Sequence, residues 1–501
     1  MKQETPGATQ ADLKQEAGPL PDPLVARFAA VVGERYCYSK PEQLRTYESD
    51  GLASFRVTPG VVVLPSSTEE VVGCVKIARE AGLPIVARGS GTGLSGGALP
   101  VPGCVLIGLS RMRTILEVDY GNAFMRVQPG VINLDVSKHI GPQGWYYAPD
   151  PSSQSVCSIG GNVAENSGGA HCLKYGFTVN HVLGVRIVLH DGQVLDLGGP
   201  VLDRPEYDLA GVVVGSEGLL GIVTEVVLRI LRKPEATRTF FATFPSTTEA
   251  GNAVSAIIAS GIVPAAIEMM DTLAIVAAKA ATGVDWPEVA AALLMDVDGV
   301  AQECEHTSAV AVDLARKAGA LEIRVPRDAA ERELMWKGRK SAFAAVGRIA
   351  RNYLVQDGVI PRSAIAQVLQ EIAQLGQRYG LRVANVFHAG DGNLHPLVLF
   401  DGRVPEEEKK AEEMSGEILR ICLRHGGSIT GEHGVGADKA PYMPEMFSPQ
   451  DLETMQLVRC AFDPGGSFNP GKMFPTPRLC GDKPGLYQPH PTELSGEAWR
   501  A

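Results

Sequence analysis

Arg88-Gly89-Ser90-Gly91-Thr92-Gly93-Leu94-Ser95-Gly96-Gly97-Ala98-Leu99-Pro100-Val101-Pro102 contains Gly91-x-Gly93-x-x-Gly96, which matches the dinucleotide-binding fingerprint as a string of letters. In the doubly wound fold that string opens a helix whose N-terminus faces the pyrophosphate. Here two prolines and the apolar run Cys104 to Leu109 come next, and they predict a second strand in place of a helix. A loop so dense in glycine still presents consecutive amides that wrap an anion. The reading keeps a phosphate cradle and rejects the Rossmann topology.

Upstream, Gly60 to Leu64 reads as a buried strand, and Ser67-Thr68-Glu69-Glu70 as a capping box. The helix it opens has an apolar stripe of Val71, Cys74, Val75 and Ala78 and stops at Gly82; Pro84 to Arg88 is the next strand. Downstream lie two more glycine-rich segments, Ile159 to Gly169 and Gly215 to Thr224, both expected as loops between β-type runs. Three such loops suit a flat, extended ligand that the backbone approaches along its length, as a flavin dinucleotide would be. Beyond Pro234 the pattern becomes β-α-β, with strands at 237–244, 265–270, 291–296 and 321–325 and a capped helix from Ser246, a ferredoxin-like arrangement.

Helices expected near 363–379 and 405–425 bracket His388-Ala389-Gly390-Asp391-Gly392-Asn393-Leu394-His395. Strands on either side make this a hairpin with Asp391-Gly392-Asn393 as its turn and an imidazole at each strand end. With Glu432 in Gly431-Glu432-His433-Gly434, two His and a Glu form a common ligand set for a divalent transition metal that keeps open positions. Two polar turns with satisfied side chains would leave the same letters.

The bounds agree with an ordinary globular protein of two or three domains: 501 residues, 45% hydrophobic and 21% charged. The expected division is an arm at 1–21, a cofactor domain at 22–235, a substrate and metal domain at 236–474 and a flexible tail at 475–501. No apolar run has membrane-spanning length and the start lacks a signal core, so a cytoplasmic location is expected, with membrane association only peripheral. A net charge of −11 argues against nucleic acid as a partner. The nine cysteines form no Cys-x-x-Cys pair, so an iron–sulfur centre would have to sit on another chain.

Together, Arg88 to Gly93, Pro149-Asp150-Pro151-Ser152, Ile159 to Val163, Gly215 to Gly218, His388 to His395, Gly431 to Gly434 and Phe468 to Lys472 resemble the FAD-linked oxidases of the vanillyl-alcohol oxidase type. The branch is that of the D-2-hydroxy-acid dehydrogenases, glycolate oxidase type, over roughly residues 30–475. The resemblance implies an α+β protein: an FAD-binding domain of two α/β subdomains (PCMH type), capped by a ferredoxin-like substrate domain. Carried over by position, Arg88, Gly89, Ser90, Gly91, Thr92 and Gly93 hold the pyrophosphate. Pro149, Asp150, Ser152, Gly160, Gly161, Asn162, Asn166, Gly221, Val223 and Asn469 line the cofactor. Some relatives attach flavin through a histidine near the first glycine loop; none occurs from Arg88 to Gly97, so noncovalent FAD is expected.

The resemblance further implies that His388, His395 and Glu432 hold Zn or Mn, and that His433 takes the substrate hydroxyl proton as a hydride passes to flavin N5. Arg339 clamps the substrate carboxylate with a planar two-point grip. Relatives that accept dicarboxylates carry Lys and Asn where this chain has Val355 and Leu397. Without these anchors a small D-2-hydroxy acid is expected, with glycolate going to glyoxylate or D-lactate to pyruvate. The implied partners are an iron–sulfur subunit and a second FAD-domain subunit. Two other classes share some of these features. A metal hydrolase would leave the glycine loops unexplained, and a silent flavin-binding subunit would not need the metal and base residues.

Overall fold

The computed structural model describes residues 20–52, 54–201 and 207–475. The expected arm and tail therefore lie outside the described residues except at Leu20, Pro21 and Pro475. Helix α1 (Asp22–Val32) opens the chain, followed by strands β1 (Cys37–Tyr38) and β2 (Val61–Val63). Helix α2 (Thr68–Glu80) starts where Ser67 Oγ accepts the Glu70 amide, and it buries Val71, Cys74, Val75 and Ala78. Glu70 does not close the box on Ser67, as expected from sequence; its carboxylate accepts the Ser66 amide and hydroxyl, one residue earlier.

Strands β3 (Ile85–Arg88) and β4 (Val105–Gly108) complete a four-stranded sheet of order β1-β2-β4-β3, in which β4 runs parallel to both β2 and β3. Between β3 and β4 the glycine segment forms no helix. The second sheet is antiparallel, built from β5 (Ile115–Asp119), β6 (Phe124–Val127), β7 (Val182–Val188), β8 (Val194–Gly198) and β9 (Ile222–Arg229) in the order β5-β6-β9-β7-β8. One expectation fails between β6 and β7. Ile159–Glu165 is a helix, α3, and not a loop, because Ser158 caps it by accepting the Gly161 amide and Asn166 ends it in the left-handed conformation. Its glycines are small enough for the turn to lie against neighbouring backbone: a Cβ on Gly160 would stand 2.6 Å from Pro129.

The third sheet begins with β10 (Ala236–Phe244), then β11 (Ala266–Asp271), β12 (Ala291–Gly299) and β13 (Glu322–Arg324). Their order, β13-β10-β12-β11, all antiparallel, is the ferredoxin-like one; α4 (Thr247–Ala259) and α5 (Ala301–Lys317) supply its crossovers. Helix α6 (Ala329–Ala345) precedes β14 (Asn352–Val355) and β15 (Gly358–Val359). The sheet is extended past β11 by β16 (Arg382–His388), β17 (Asn393–Leu394) and β18 (Pro396–Phe400), the hairpin strands.

Helices α7 (Ile365–Tyr379) and α8 (Pro405–Arg424) cover this end. Phe240, Phe244, Ile257, Met269, Ile372, Phe387 and Ile418 share one core there. The chain after Asp463 returns to the first sheet. The Ile85 amide donates to Ser467 O and the Asn469 amide to Ile85 O, and Phe468 is buried among Val61, Ile85 and Val105.

Candidate active site

The hairpin turn is shifted by one residue from the sequence reading. Asn393 is already paired with His388 across the strands, so Ala389 to Gly392 make the turn. His388 thus ends β16, and His395 sits in the break between β17 and β18. Both rings are buried, at 4% and 5% exposed, and lie 5.2 Å apart edge to face. Glu432 Oε1 is 3.2 Å from His388 Nε2 and 3.1 Å from His395 Nε2.

The His395 contact is not aligned as a hydrogen bond, so both ring nitrogens lack a hydrogen-bond partner, as does Glu432 Oε2. Orphaned buried nitrogens are costly unless something else fills them. Three ligand atoms about 2.1 Å from a tetrahedral ion stand roughly 3.4 Å from one another. The separations of 3.1 and 3.2 Å are close to that spacing, and the donor set of two imidazoles and a carboxylate suits Zn or Mn.

A second group, Asp357 with His395 and His433, is equally compact. Its carboxylate, however, is already engaged. Asp357 Oδ2 accepts the Thr430 hydroxyl, the Gly431 and His433 amides and Lys439 Nζ, and Oδ1 accepts the Glu432 amide. Burial opposes its ionisation, but Lys439, His433 and His395 outweigh burial and hold the carboxyl well below the usual range. Asp357 therefore shapes the loop that carries Glu432 and His433.

Glu268 on β11 does the same for His388. It accepts from Nδ1 at 2.8 Å and pairs with Arg339 on α6. Burial disfavours a charged His388, yet Glu268 and Glu432 overcome it and raise its pKa well above the ordinary value. Burial would also raise Glu432, but His388 and His395 hold it well below. In a metal site such a carboxylate fixes the tautomer and orientation of the ligating ring. Glu268→Gln should therefore weaken divalent-metal affinity by about 10–100-fold in competition with a chelator, with no change in FAD content.

His433 stacks on His395 at 4.9 Å with an 8° tilt. Burial, only partly offset by Asp357, lowers its pKa to about 4, so the ring is neutral and able to accept a proton at neutral pH.

His395, Glu432 and His433 line a cleft of about 1730 Å³ of empty space with its mouth included. Much of the rest of its wall comes from the glycine segments, Arg88 to Gly93, Gly97, Gly160 to Asn162, Ser216 to Gly218, Gly221 and Val223, joined by Ser152 and, from α6, by Lys340, Phe343 and Ala344. The first loop rests on the cap of α3, where a Cβ on Gly89 would meet Ser158 Oγ at 2.4 Å. A cleft of this size lined by three glycine-rich segments suits a dinucleotide whose phosphates the backbone amides can approach.

Pro149, Asp150, Asn166 and Asn469 are not on its wall. The Pro149 carbonyl accepts from Asn133, Asn166 accepts the Val179 amide, and Asn469 Nδ2 donates to the Gly97 and Glu217 carbonyls. Asp150 is held by His171 at 2.9 Å and Lys340 at 3.2 Å. Arg339 lies behind the wall on Glu268 with its Nε unpartnered, while Lys340, the next residue, is on it.

Glu217 was not among the residues singled out from sequence. It accepts the Val435 and Gly436 amides at 2.7 Å each, tying the loop that carries Glu432 and His433 to the third glycine segment.

Comparison with known proteins agrees with this architecture. Residues 59–198 match the FAD binding domain family and residues 233–473 the family of FAD linked oxidases, C-terminal domain. The glycolate oxidase subunit GlcD of Escherichia coli is 48% identical over 450 residues, covering 90% of each chain. GlcD of Bacillus subtilis is 37% identical over 85% of this chain and 92% of its own. A D-lactate dehydrogenase of Archaeoglobus fulgidus is 32% identical, covering 82% and 91%. Among solved structures, p-cresol methylhydroxylase with substrate bound superposes with a TM-score of 0.76 at 18% identity, covering 93% and 98%, a likeness of fold.

Proposed function

The chain belongs to the FAD-linked oxidases, and from that premise we propose that it oxidises a small D-2-hydroxy acid, glycolate to glyoxylate or D-lactate to pyruvate. One observation supports this above the others. The orphaned His395 and Glu432 atoms and the neutral His433 face the same cleft as the glycine loops, so a metal-held substrate and a flavin would meet there. When bound, FAD supplies a hydride acceptor at N5, and the divalent ion held by His388, His395 and Glu432 supplies a Lewis acid for the hydroxyl and carboxylate.

The protein's own part is positional and acid–base. His433 Nε2 takes the hydroxyl proton, a transfer that its lowered pKa keeps available. Asp357 fixes that ring by holding its backbone amide at 2.9 Å. Arg339, held on Glu268 behind the cleft wall with its Nε unpartnered, would grip the substrate carboxylate only on turning into the cleft, whose wall carries Lys340. The likeness to D-lactate dehydrogenases and to glycolate oxidase subunits supports this substrate class.

Val355 and Leu397 are cross-strand partners packed in an apolar core and not on the cleft wall; the small-substrate reading rests on the resemblance, in which relatives that take dicarboxylates carry Lys and Asn at these positions. With an artificial acceptor, kcat/KM for D-2-hydroxyglutarate should fall at least about 100-fold below that for glycolate or D-lactate. Equal use of the dicarboxylate would refute the proposed small-substrate preference. L-lactate should be oxidised poorly or not at all.

The relatives named glycolate oxidase subunits support a complex; we propose that electrons leave through partner chains, an iron–sulfur subunit and a second FAD-domain subunit. Among the described residues no helix is long and apolar enough to cross a membrane. Pull-down of the tagged chain from its host should recover both subunits; recovery of a fully active single chain would count against them.

A further inference from the structure

Glu165, the last residue of α3, has no place in the chemistry above, yet its carboxyl stands on the wall of the cleft. It lies where three segments converge. A Cβ on Gly97 would come within 2.6 Å of its Oε1, and one on Gly434 within 2.0 Å of its Oε2. Two glycines, one from the first loop and one from the metal loop, thus leave the space that the carboxyl fills.

Oε2 is buried without a hydrogen-bond partner, and among the described residues Glu165 makes no salt bridge. Its charged neighbours are mostly of its own sign: Glu217 from the third glycine segment, Asp50 from the chain before β2, and Asp357. Lys439, the cation facing it, is spent on Asp357 and the Gly434 carbonyl. Burial, then Glu217 and Asp50, raise its pKa well above the carboxylate range. A carboxyl in such a place stays protonated, and its O–H needs an acceptor that the protein does not provide.

We propose that Glu165 is an uncharged hydrogen-bond donor to an acceptor atom of the flavin ring, a positioning residue that sets both flavin affinity and reduction potential. The inference rests on the FAD reading above. A neutral donor stabilises negative charge as it builds on the reduced ring without adding charge of its own, and so raises the potential relative to a site lacking it. The same logic keeps a third buried negative charge from a place that already has Glu217 and Asp50 beside it.

The test compares wild-type holoprotein with Glu165→Gln, which keeps an uncharged donor, and Glu165→Ala, which removes it. Flavin dissociation is read from fluorescence on dilution, the midpoint potential from spectroelectrochemical titration, and the carboxyl proton from the infrared difference spectrum between oxidised and reduced protein. The expected results are a protonated-carboxyl band in wild type that is lost in both variants, FAD affinity of Glu165→Gln within about threefold of wild type, and at least about tenfold weaker binding with a lowered potential in Glu165→Ala. Absence of the band, weakening of both variants alike, or an unaltered Glu165→Ala would overturn the proposal. A wild-type protein that binds no FAD would instead refute the cofactor reading on which it rests.

Discussion

Replacing His395 with alanine is expected to lower turnover by at least about 10³-fold while the protein stays yellow. The residue gives the site a nitrogen that nothing else in the structure satisfies. Its removal leaves two ligands, His388 and Glu432, already 3.2 Å apart and free to pair with each other in place of an ion. The His433 ring also loses the face on which it stacks. None of these contacts involves the glycine loops that line the cleft. Flavin content and visible spectrum should therefore match wild type, and metal content, by elemental analysis, should fall below one ion per several chains. Loss of flavin together with metal would show that the hairpin serves cofactor binding and not chemistry.

The second large effect is on stability. Lys439 and Asp357 are about 1% and 0% exposed at a separation of 3.1 Å, and the same ammonium donates to the Gly434 carbonyl. Lys439→Ala leaves a buried carboxylate that must either stay uncompensated or take up a proton. Breaking a pair of this kind by removing one partner costs about 3–5 kcal/mol. Asp357 would then lose its grip on the amides of Gly431, Glu432 and His433, so metal affinity should drop with stability. The double variant Asp357→Asn, Lys439→Met removes both charges and should recover part of the unfolding free energy but not the metal site. If Lys439→Ala unfolds at the same denaturant concentration as wild type, the pair carries no such load.

How much of this was legible beforehand depends on the range over which each contact acts. The glycine loop running into a strand, the helix from Ser67, the ferredoxin-like strands and the hairpin histidines are written locally, in proline placement, capping residues and turn chemistry. The helical state of Ile159 to Glu165 was missed because its two glycines outweighed the Ser158 cap that decides it. The supporting carboxylates were missed for another reason. Glu268 sits in an apolar strand and meets Arg339 and His388 only across the fold, and Asp357 and Glu217 reach the loop after Thr430 from 74 and 218 residues away. An acid in the middle of an apolar run, as Glu268 is between Ile267 and Met269, was the available signal, since such a residue is rarely buried unpaired.

The account turns on one cleft serving both a metal-held hydroxy acid and a flavin. The most direct measurement is anaerobic mixing of the holoprotein with glycolate or D-lactate, followed at the flavin's visible absorbance, before and after removal of the metal by chelation. The predicted result is complete bleaching with one of the two acids, lost on chelation and restored by Zn or Mn. Bleaching that survives metal removal, or a flavin that stays oxidised with both acids in the metal-replete protein, would contradict it.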